Sequence, residues 1–288
     1  MQEFTGKVAV VTGAAAGIGR AIAERCVREG MRVVLADIEA PALAEAEVAL
    51  RAAGGTVIAV HMDVMDPANA EGLAKATIDA FGAVHLLCNN AGVGAGSSVW
   101  ESTLADWQWV MGVNLWGVIH GCRAFVPRML AHGTEGHIVN TASVAGLIGF
   151  HPSASYQVTK HAVVALSEHL YQSLHLANAP IGVSVLCPGW VKTRIGDSER
   201  NRPEALRNPP SSEPPHPMEE MVRAWAQHEI DTGMDPAQVA DDVFAAIRDE
   251  RFYILTHPEM RPLVQQRLDA VSSGENPVPF TFPGLSGE

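Results

Sequence analysis

The chain has 288 residues, is 47% hydrophobic and carries a formal net charge of −12 at pH 7. This length and apolar content suffice for one large core, and the negative charge disfavours nucleic-acid backbones and anionic membrane surfaces as partners. No apolar run reaches about 18 residues, so we expect no membrane span.

The N-terminal residues, the cysteines and the histidines together predict a cytoplasmic protein without a metal. Residues 1–7 lack the basic start and apolar core of a signal peptide. The four cysteines form no C-x-x-C pair and stand in apolar contexts typical of reduced, buried thiols. No two of the twelve histidines have H-E-x-x-H spacing, so we predict no metal site.

The first elements predict a dinucleotide-binding unit. A short valine-rich run at residues 7–11 is typical of a buried parallel strand. It leads into T-G-A-A-A-G-I-G at residues 12–19, a helical stretch at 20–29, a second strand at 32–36 and then Asp37. Glycines let the backbone approach a pyrophosphate, the helix N-terminus attracts it, and the acid accepts hydrogen bonds from ribose hydroxyls. A glycine cluster alone could also be a plain tight turn.

Asp37 also indicates which dinucleotide binds. Its carboxylate would repel a 2′-phosphate, and neither Ala16 nor Ile38 supplies a cation to hold one. We therefore predict NAD as the cofactor, and NADP is the alternative.

Helices and strands continue to alternate along the chain, which predicts a parallel sheet with helices on both faces. We expect helices at residues 40–53, 67–81, 104–130, 154–178 and 235–250, and strands at 56–60, 84–88, 137–141, 181–186 and 252–255. The pattern breaks at residues 194–233, which are predicted to be a lid or a substrate-binding insert. We expect one domain over residues 1–255 and a C-terminal tail over residues 256–288.

Polar and small residues follow two of these strands, where open α/β folds bind ligands. They are Asp63, Asn90 and Gly92. Asp63 could instead cap the following helix, and Asn90 and Gly92 could be turn formers.

Tyr156 and Lys160 are four residues apart and would share one face of a helix, with Ser143 thirteen residues upstream. A phenol titrates near pH 10, but an ammonium at ~4 Å would lower its pKa by ~3 units at an effective dielectric of ~20. That shift would suit Tyr156 to proton transfer near pH 7, with Ser143 bonding the substrate oxygen. The alternative is that the tyrosine and the lysine are simply exposed to solvent, as such pairs on amphipathic helices commonly are.

Asn114 falls inside an apolar helical stripe, where burying its amide is costly unless it is bonded. A structural hydrogen bond would explain it, and so would a polar relay to Lys160.

Together these motifs resemble the single-domain branch of the short-chain dehydrogenase/reductase family. Residues 12–19 match T-G-x-x-x-G-x-G, residues 89–92 are N-N-A-G, and a helix Asn, a Ser, Y-x-x-x-K and P-G follow in order. The resemblance spans residues 7–255. It implies a Rossmann-type doubly wound parallel sheet of about seven strands and a homodimer or homotetramer.

The resemblance also implies residue roles. Tyr156 would be the acid/base, Lys160 would bond the nicotinamide ribose and lower the tyrosine pKa, Ser143 would orient the substrate oxygen, and Asn114 would hold a water joining Lys160 to solvent. The implied cofactor contacts are Gly13, Ala15, Ala16, Gly17, Ile18, Gly19, Asp37, Asp63, Val64, Asn90, Ala91, Gly92, Tyr156, Lys160, Pro188, Gly189, Val191 and Thr193.

The predicted reaction is hydride transfer between the nicotinamide and a secondary alcohol or ketone. Large side chains in the loops that should cover the site favour a bulky, apolar small-molecule substrate, although packing of the insert would explain them equally well. These residues are His151, Trp190, Met218, Met221 and Trp225.

Two alternatives remain, an NADPH-dependent ketone reductase and, less favoured, a non-catalytic NAD-binding protein. An epimerase or dehydratase of the longer branch would carry a T-G-x-x-G-x-x-G turn and a sizeable C-terminal substrate domain, and this chain has neither.

Overall fold

The computed structural model describes residues 1–209 and 217–279. Seven parallel strands form one sheet in the order β3-β2-β1-β4-β5-β6-β7. They are β1 (Val8–Thr12), β2 (Arg32–Asp37), β3 (Thr56–His61), β4 (Leu86–Asn89), β5 (Gly136–Thr141), β6 (Ile181–Leu186) and β7 (Tyr253–Ile254). This order confirms the predicted doubly wound sheet.

Helices connect the strands and also follow the last one. They are α1 (Gly17–Arg28), α2 (Ala40–Ala52), α3 (Pro67–Phe81), α4 (Leu104–Met111), α5 (Gly117–His132), α6 (Ala154–Leu176), α7 (Pro217–Thr232), α8 (Pro236–Arg248) and α9 (Arg261–Ser273). Among the described residues, no helix combines the length and the apolar character that a membrane crossing requires.

The core lies in two main layers because successive strand residues point to opposite faces of the sheet. Ala9 and Val11 of β1 pack with buried residues of α1, α2 and α8. Val10, between them, packs on the other face with buried residues of α3 and α5. All five residues of β1 are buried, as expected for a central parallel strand covered on both sides.

The strand order reverses between β1 and β4. Chain connections leave the two strands toward opposite sides of the sheet there, which opens a crevice at their carboxyl ends. The glycine-rich turn after β1 and the N-N-A-G segment after β4 both lie at this edge.

The helix predicted over residues 104–130 is present and runs to residue 132, but it is not a regular α-helix throughout. A π-helical turn, Gly112–Trp116, separates α4 from α5, and the Gly117 N–H donates to the Gly112 carbonyl five residues back. The π-turn contains Asn114, which is fully buried.

The region after β7 contains a helix that the sequence analysis did not predict. α9 buries none of its residues and begins with Pro262 in its first turn. The insert contains α7 and two short 3-10 helices, Ile195–Asn201 and Glu204–Leu206. Residues 210–216 of the insert and 280–288 of the predicted tail lie outside the described residues, and the division of the chain stays a prediction.

Candidate active site

The glycine-rich turn leaves little room for side chains. A Cβ on Gly13, which has φ +65°, would lie 2.9 Å from the Ala91 Cα, and one on Gly19 would lie 2.1 Å from the Gly13 carbonyl oxygen. α1 begins at Gly17 behind Ala16, with no side-chain cap among the described residues and no acid in its first turn. Its first N–H groups are therefore available to an anion such as a pyrophosphate.

Asp37 is fixed beside this turn by two backbone hydrogen bonds. The Ala15 N–H donates to Oδ2 and the Glu39 N–H donates to Oδ1, each at 2.9 Å. The acid therefore lies at the end of β2 next to the backbone that would hold the phosphates. A narrow glycine cradle with an acid at its side fits the donor and acceptor groups of an NAD molecule.

Asn90 joins the ends of three strands. Its Nδ2 donates to the Thr12 carbonyl at 3.0 Å, and its Oδ1 accepts from Thr141 Oγ1 at 3.3 Å. Thr12 Oγ1 in turn accepts from the N–H groups of Asn90 and Ala91 at 2.9 and 3.1 Å. The side chain of Asn90 thus links the ends of β1, β4 and β5 at the base of the crevice. Its predicted contact with the cofactor stays a prediction.

Asp63 does not cap α3, so that alternative is wrong. Its Oδ1 accepts from the Met65 N–H at 2.9 Å, whereas Asp66 caps the helix by accepting from the Ala68 N–H at 2.8 Å. The neighbouring Val64 carbonyl lies 3.1 Å from His120 Nδ1. These contacts fix the loop after β3, where Asp63 and Val64 are predicted to flank adenine.

Tyr156 and Lys160 lie on one face of α6, with Ser143 at the end of the preceding strand. The Lys160 Nζ is 5.3 Å from the centroid of the Tyr156 ring and donates to the Thr141 carbonyl at 3.0 Å. Ser143 Oγ donates to the Pro188 carbonyl at 3.3 Å. The structure therefore brings the three predicted catalytic side chains together at the carboxyl edge of the sheet.

The predicted lowering of the Tyr156 pKa is wrong for the protein chain by itself. Burial raises the pKa of the phenol, and a hydrogen bond with Ser143 opposes this rise only in part. Burial also lowers the pKa of Lys160 to about 8, because the ammonium is taken out of water. Helical spacing correctly placed the two side chains on one face, but it did not account for the desolvation of both.

Asn114 makes the structural hydrogen bonds that the sequence analysis considered. Its Oδ1 accepts from the Val93 N–H at 2.8 Å, and its Nδ2 donates to the Val93 carbonyl at 2.9 Å and to Thr159 Oγ1 at 3.3 Å. A Cβ on Gly92 would lie 3.5 Å from Asn114 Oδ1 and 3.6 Å from Lys160 Nζ. Asn114 and Lys160 thus both reach Gly92, and the water relay between them stays a prediction.

Residues 188–193 run from the end of β6 to the glycine-rich turn. The Gly189 N–H donates to His257 Nδ1 at 3.0 Å, and Val191 is buried and bridges to Met234. A Cβ on Gly17 would lie 3.0 Å from Thr193 Cγ2. The predicted cofactor contacts after β6 are therefore adjacent to those after β1.

The chain then crosses the mouth of the crevice as a strap, which we define as residues 193–202. Ser198 Oγ accepts from the Gly94 N–H at 3.0 Å. Arg200 Nη2 lies 2.6 Å from Glu39 Oε1, and Arg194 Nη1 lies 3.5 Å from Glu39 Oε2. The strap thus connects the segment after β4 with the turn that holds the predicted ribose acid.

Glu39 and its arginine partners were missed by the sequence analysis. Glu39 lies two residues after Asp37, but Arg200 lies 161 residues further along the chain. No local sequence pattern predicts an ion pair between residues so far apart in the chain. Thr12 was part of the glycine motif, yet its role as an acceptor for Asn90 and Ala91 has no sequence signal of its own.

The predicted pocket residues fall into three sets. His151 stacks on Tyr156, with ring centroids 4.9 Å apart and an interplanar angle of 29°. Trp190 and Trp225 pack edge to face at 5.3 Å. Met218 and Met221 are 42% and 41% exposed on α7, so neither is enclosed in the described part of the chain.

The buried ammonium of Lys160 predicts a pH-dependent stability. The unfolded chain holds this proton up to about pH 10.5 and the folded chain only to about pH 8, so the unfolded state binds more protons between these values. The free energy of unfolding therefore rises with pH across this window. We expect the wild type to gain about 3 kcal/mol over Lys160→Met between pH 8 and pH 10.5.

Urea unfolding of both proteins at the two ends of this window measures the gain. The control is Lys75→Met, because Lys75 is an exposed lysine paired with Asp79 on α3. A stability difference between wild type and Lys160→Met that stayed constant with pH would contradict the burial of a charged Lys160.

Residues 7–204 match the family model for short chain dehydrogenase. A solved short chain dehydrogenase/reductase from Burkholderia phymatum in complex with NAD has a TM-score of 0.94 and 48% identity, and the match covers 98% of this chain and 100% of that chain. A CLA biosynthesis dehydrogenase/reductase from Lactiplantibacillus plantarum is 34% identical over 99% of this chain and 100% of its own length. A 1-deoxy-11-beta-hydroxypentalenate dehydrogenase from Streptomyces exfoliatus is 35% identical over 92% of this chain and 88% of its own.

Proposed function

The chain belongs to the short-chain dehydrogenase/reductase family and is an oxidoreductase, and we propose that it uses NAD to interconvert a secondary alcohol and a ketone. The main observation in support of this proposal is that Ser143, Tyr156 and Lys160 lie close together beside the glycine-rich turn. A non-catalytic NAD-binding protein would need the cradle but not these three side chains. Residues 7–204 match the family's short-chain model, and the matched relatives are named dehydrogenases.

We propose that the glycine turn, Asp37 and residues 188–193 hold the NAD molecule. When bound, NAD supplies the hydride acceptor, and in the reverse direction NADH supplies the hydride. The protein binds and orients both reactants and excludes water from them.

Tyr156 handles the proton of this reaction. In the oxidation direction its phenolate takes the proton of the substrate hydroxyl, and in the reduction direction its hydroxyl donates a proton to the carbonyl oxygen. Ser143 Oγ donates its single proton to the Pro188 carbonyl in this structure, and with substrate bound it turns to donate to the same substrate oxygen instead. Because burial raises the phenol pKa, the chain by itself keeps Tyr156 protonated at neutral pH, which is the form that reduction requires.

Lys160 supplies positive charge beside the phenol. Its ammonium lies over the Tyr156 ring and is charged below about pH 8. In that range it favours the phenolate form electrostatically, and this charge is lost as pH rises through about 8. We propose that it also bonds the nicotinamide ribose, while Asn114 holds the water that joins it to solvent.

A bulky, apolar substrate is the best match for the predicted pocket. The Trp190 and Trp225 rings pack together beside the strap, and His151 covers one face of Tyr156. A panel of secondary alcohols and ketones, run with NAD(H) and with NADP(H), tests both the reaction and the cofactor. Turnover restricted to polyols would refute the apolar pocket.

Asp37 is expected to set the choice between the two cofactors. Asp37→Asn keeps the side-chain shape but removes the charge and leaves one of the two backbone N–H groups facing an amide NH₂. Because charged acceptors make the stronger hydrogen bonds, we expect NADH binding to weaken about tenfold. NADPH binding should strengthen because the repulsion of its 2′-phosphate is relieved. Fluorescence titration with both cofactors measures the two changes.

The control for this prediction is Glu45→Ala on an exposed position of α2, which should leave both affinities unchanged. NADPH binding as tightly as NADH to the wild type would instead favour an NADPH-dependent ketone reductase.

We also propose a cytoplasmic homodimer or homotetramer. Trp100 and Leu104 are 85% and 87% exposed, and contact with a second copy would cover large apolar side chains of this kind. Light scattering of the purified chain measures the oligomeric state, and a monomer at micromolar concentration would refute it.

A further inference from the structure

The imidazole of His151 is held in a fixed position against the proposed acid/base. It lies in the loop between β5 and α6, half-buried, with its ring stacked on that of Tyr156. The loop is tied down because Ser153 Oγ donates to the Ala95 carbonyl and the Ala154 N–H donates to the Ser97 carbonyl at 2.9 Å. The stack therefore belongs to a loop that is anchored at its junction with α6, by Ser153 and by Ala154, the first residue of the helix.

The hydrogen bonds of the loop determine which ring nitrogen carries the proton. The Ser153 N–H, which can only donate, lies 3.1 Å from His151 Nδ1. The Ser153 carbonyl is 3.2 Å from the same nitrogen, but it already accepts the first helical bond from the Gln157 N–H at 3.1 Å. Nδ1 is therefore the acceptor, and the proton of the neutral ring is on Nε2.

Nε2–H is a donor that the protein does not use. Within residues 1–209 and 217–279, Nε2 makes no hydrogen bond, and it points away from the backbone that holds Nδ1. Burial lowers the pKa of His151 to about 4, so the ring is neutral at working pH. Nε2 is not among the buried polar atoms without a partner in the described part of the chain, so it is accessible and free to donate to an incoming ligand beside Tyr156.

We propose that His151 positions the substrate by donating a hydrogen bond from Nε2 to a second oxygen of the substrate, close to the reacting carbon. This inference rests on the proposed alcohol–ketone chemistry and narrows its substrate class. The preferred substrates carry an ether, carbonyl or hydroxyl oxygen one or two carbons from the carbon that is oxidised or reduced. Because the imidazole is neutral, the second group is an uncharged acceptor rather than one selected for its charge.

A matched pair of ketones isolates this hydrogen bond. Butyrophenone and 2-methoxyacetophenone have the same shape and differ only in one CH₂ that is replaced by an ether oxygen. The measured quantity is the ratio of their kcat/KM values in reduction with NADH. Comparing this ratio between variants removes the intrinsic difference in ketone reactivity.

We expect His151→Phe, which keeps the stack but has no donor, to lower the preference for the ether by about tenfold, the usual range for one neutral hydrogen bond. The loss should lie in KM rather than in kcat, because the bond is made equally in the ground state and the transition state. His151→Gln should keep most of the preference, because its amide nitrogen reaches the place of Nε2. His151→Asn, whose amide reaches only the place of Nδ1, should lose it.

His169→Phe is the control, because His169 is an exposed histidine on the same helix as Tyr156. Its ratio should equal that of the wild type. An unchanged kcat/KM ratio in His151→Phe would overturn the inference and leave the proposed function standing. A ratio in His151→Gln as low as that in His151→Phe would do the same. A wild type that turns over no member of the alcohol and ketone panel with either cofactor would overturn the proposed function, and this inference with it.

Discussion

Replacing Tyr156 with phenylalanine is expected to lower kcat by about 10²- to 10⁴-fold, the usual share of a positioned general acid or base. The substitution removes the hydroxyl that exchanges the proton. It keeps the ring that stacks on His151 and faces Lys160, so NADH binding should stay within a factor of a few. Steady-state kinetics and a fluorescence titration with NADH measure the two effects separately.

Tyr171→Phe is the matched control, since Tyr171 lies on the same helix, is 42% exposed and stacks on His175. It should leave kcat unchanged. Turnover by Tyr156→Phe close to that of the wild type would remove Tyr156 from the mechanism. Loss of NADH binding in parallel with turnover would instead show a structural effect.

Replacing Arg202 with methionine is expected to weaken the attachment of the strap to α4 by about 3–5 kcal/mol, the cost of leaving a buried charge without its partner. Arg202 and Asp106 form an ion pair whose side chains are only 2% and 7% exposed. The guanidinium also lies over the Trp109 ring, 4.8 Å from its centroid. Removing it leaves the Asp106 carboxylate buried with weaker partners, such as Asn208 Nδ2 at 2.9 Å.

A lower urea midpoint and faster proteolysis of residues 193–209 measure this loss. The control is Arg207→Met, because Arg207 pairs with Glu204 on the surface, where both side chains are more than half exposed. It should cost less than about 1 kcal/mol. Asp106 also forms the capping box of α4 with Thr103, so the ion pair is isolated by a double-mutant cycle. In the Asp106→Leu background, Arg202→Met should cost less than about 1 kcal/mol, and a cost as large as in the wild type would contradict the assignment to the ion pair.

The sequence predicted the sheet and several elements residue by residue. The helix over residues 67–81 was found with its predicted bounds, because Asp66 caps its start and Gly82 ends it in the left-handed conformation. The strand over residues 181–186 was also found as predicted. In both cases the signals that set the bounds are local, so periodicity and cap residues suffice to read them.

Other features depend on contacts between distant residues. Nothing in the G-V-N-L-W sequence of the π-turn distinguishes it from a helix, and the partner of its Asn114 is the backbone of Val93, 21 residues earlier in the chain. The direction of the Tyr156 pKa shift was wrong because burial depends on the whole fold. α9 was missed because proline suggested an irregular tail, although proline is compatible with the first turn of a helix.

The extra residue of the π-turn puts α4 and α5 out of step. Each residue of an α-helix turns the chain by about 100°, so one residue accommodated in Gly112–Trp116 rotates everything before it relative to everything after it. α5 can therefore meet the sheet while Trp109 and Val110 of α4 meet Val93 beside the crevice. Deleting one residue of the π-turn would restore a regular helix and rotate Trp109 and Val110 away from Val93.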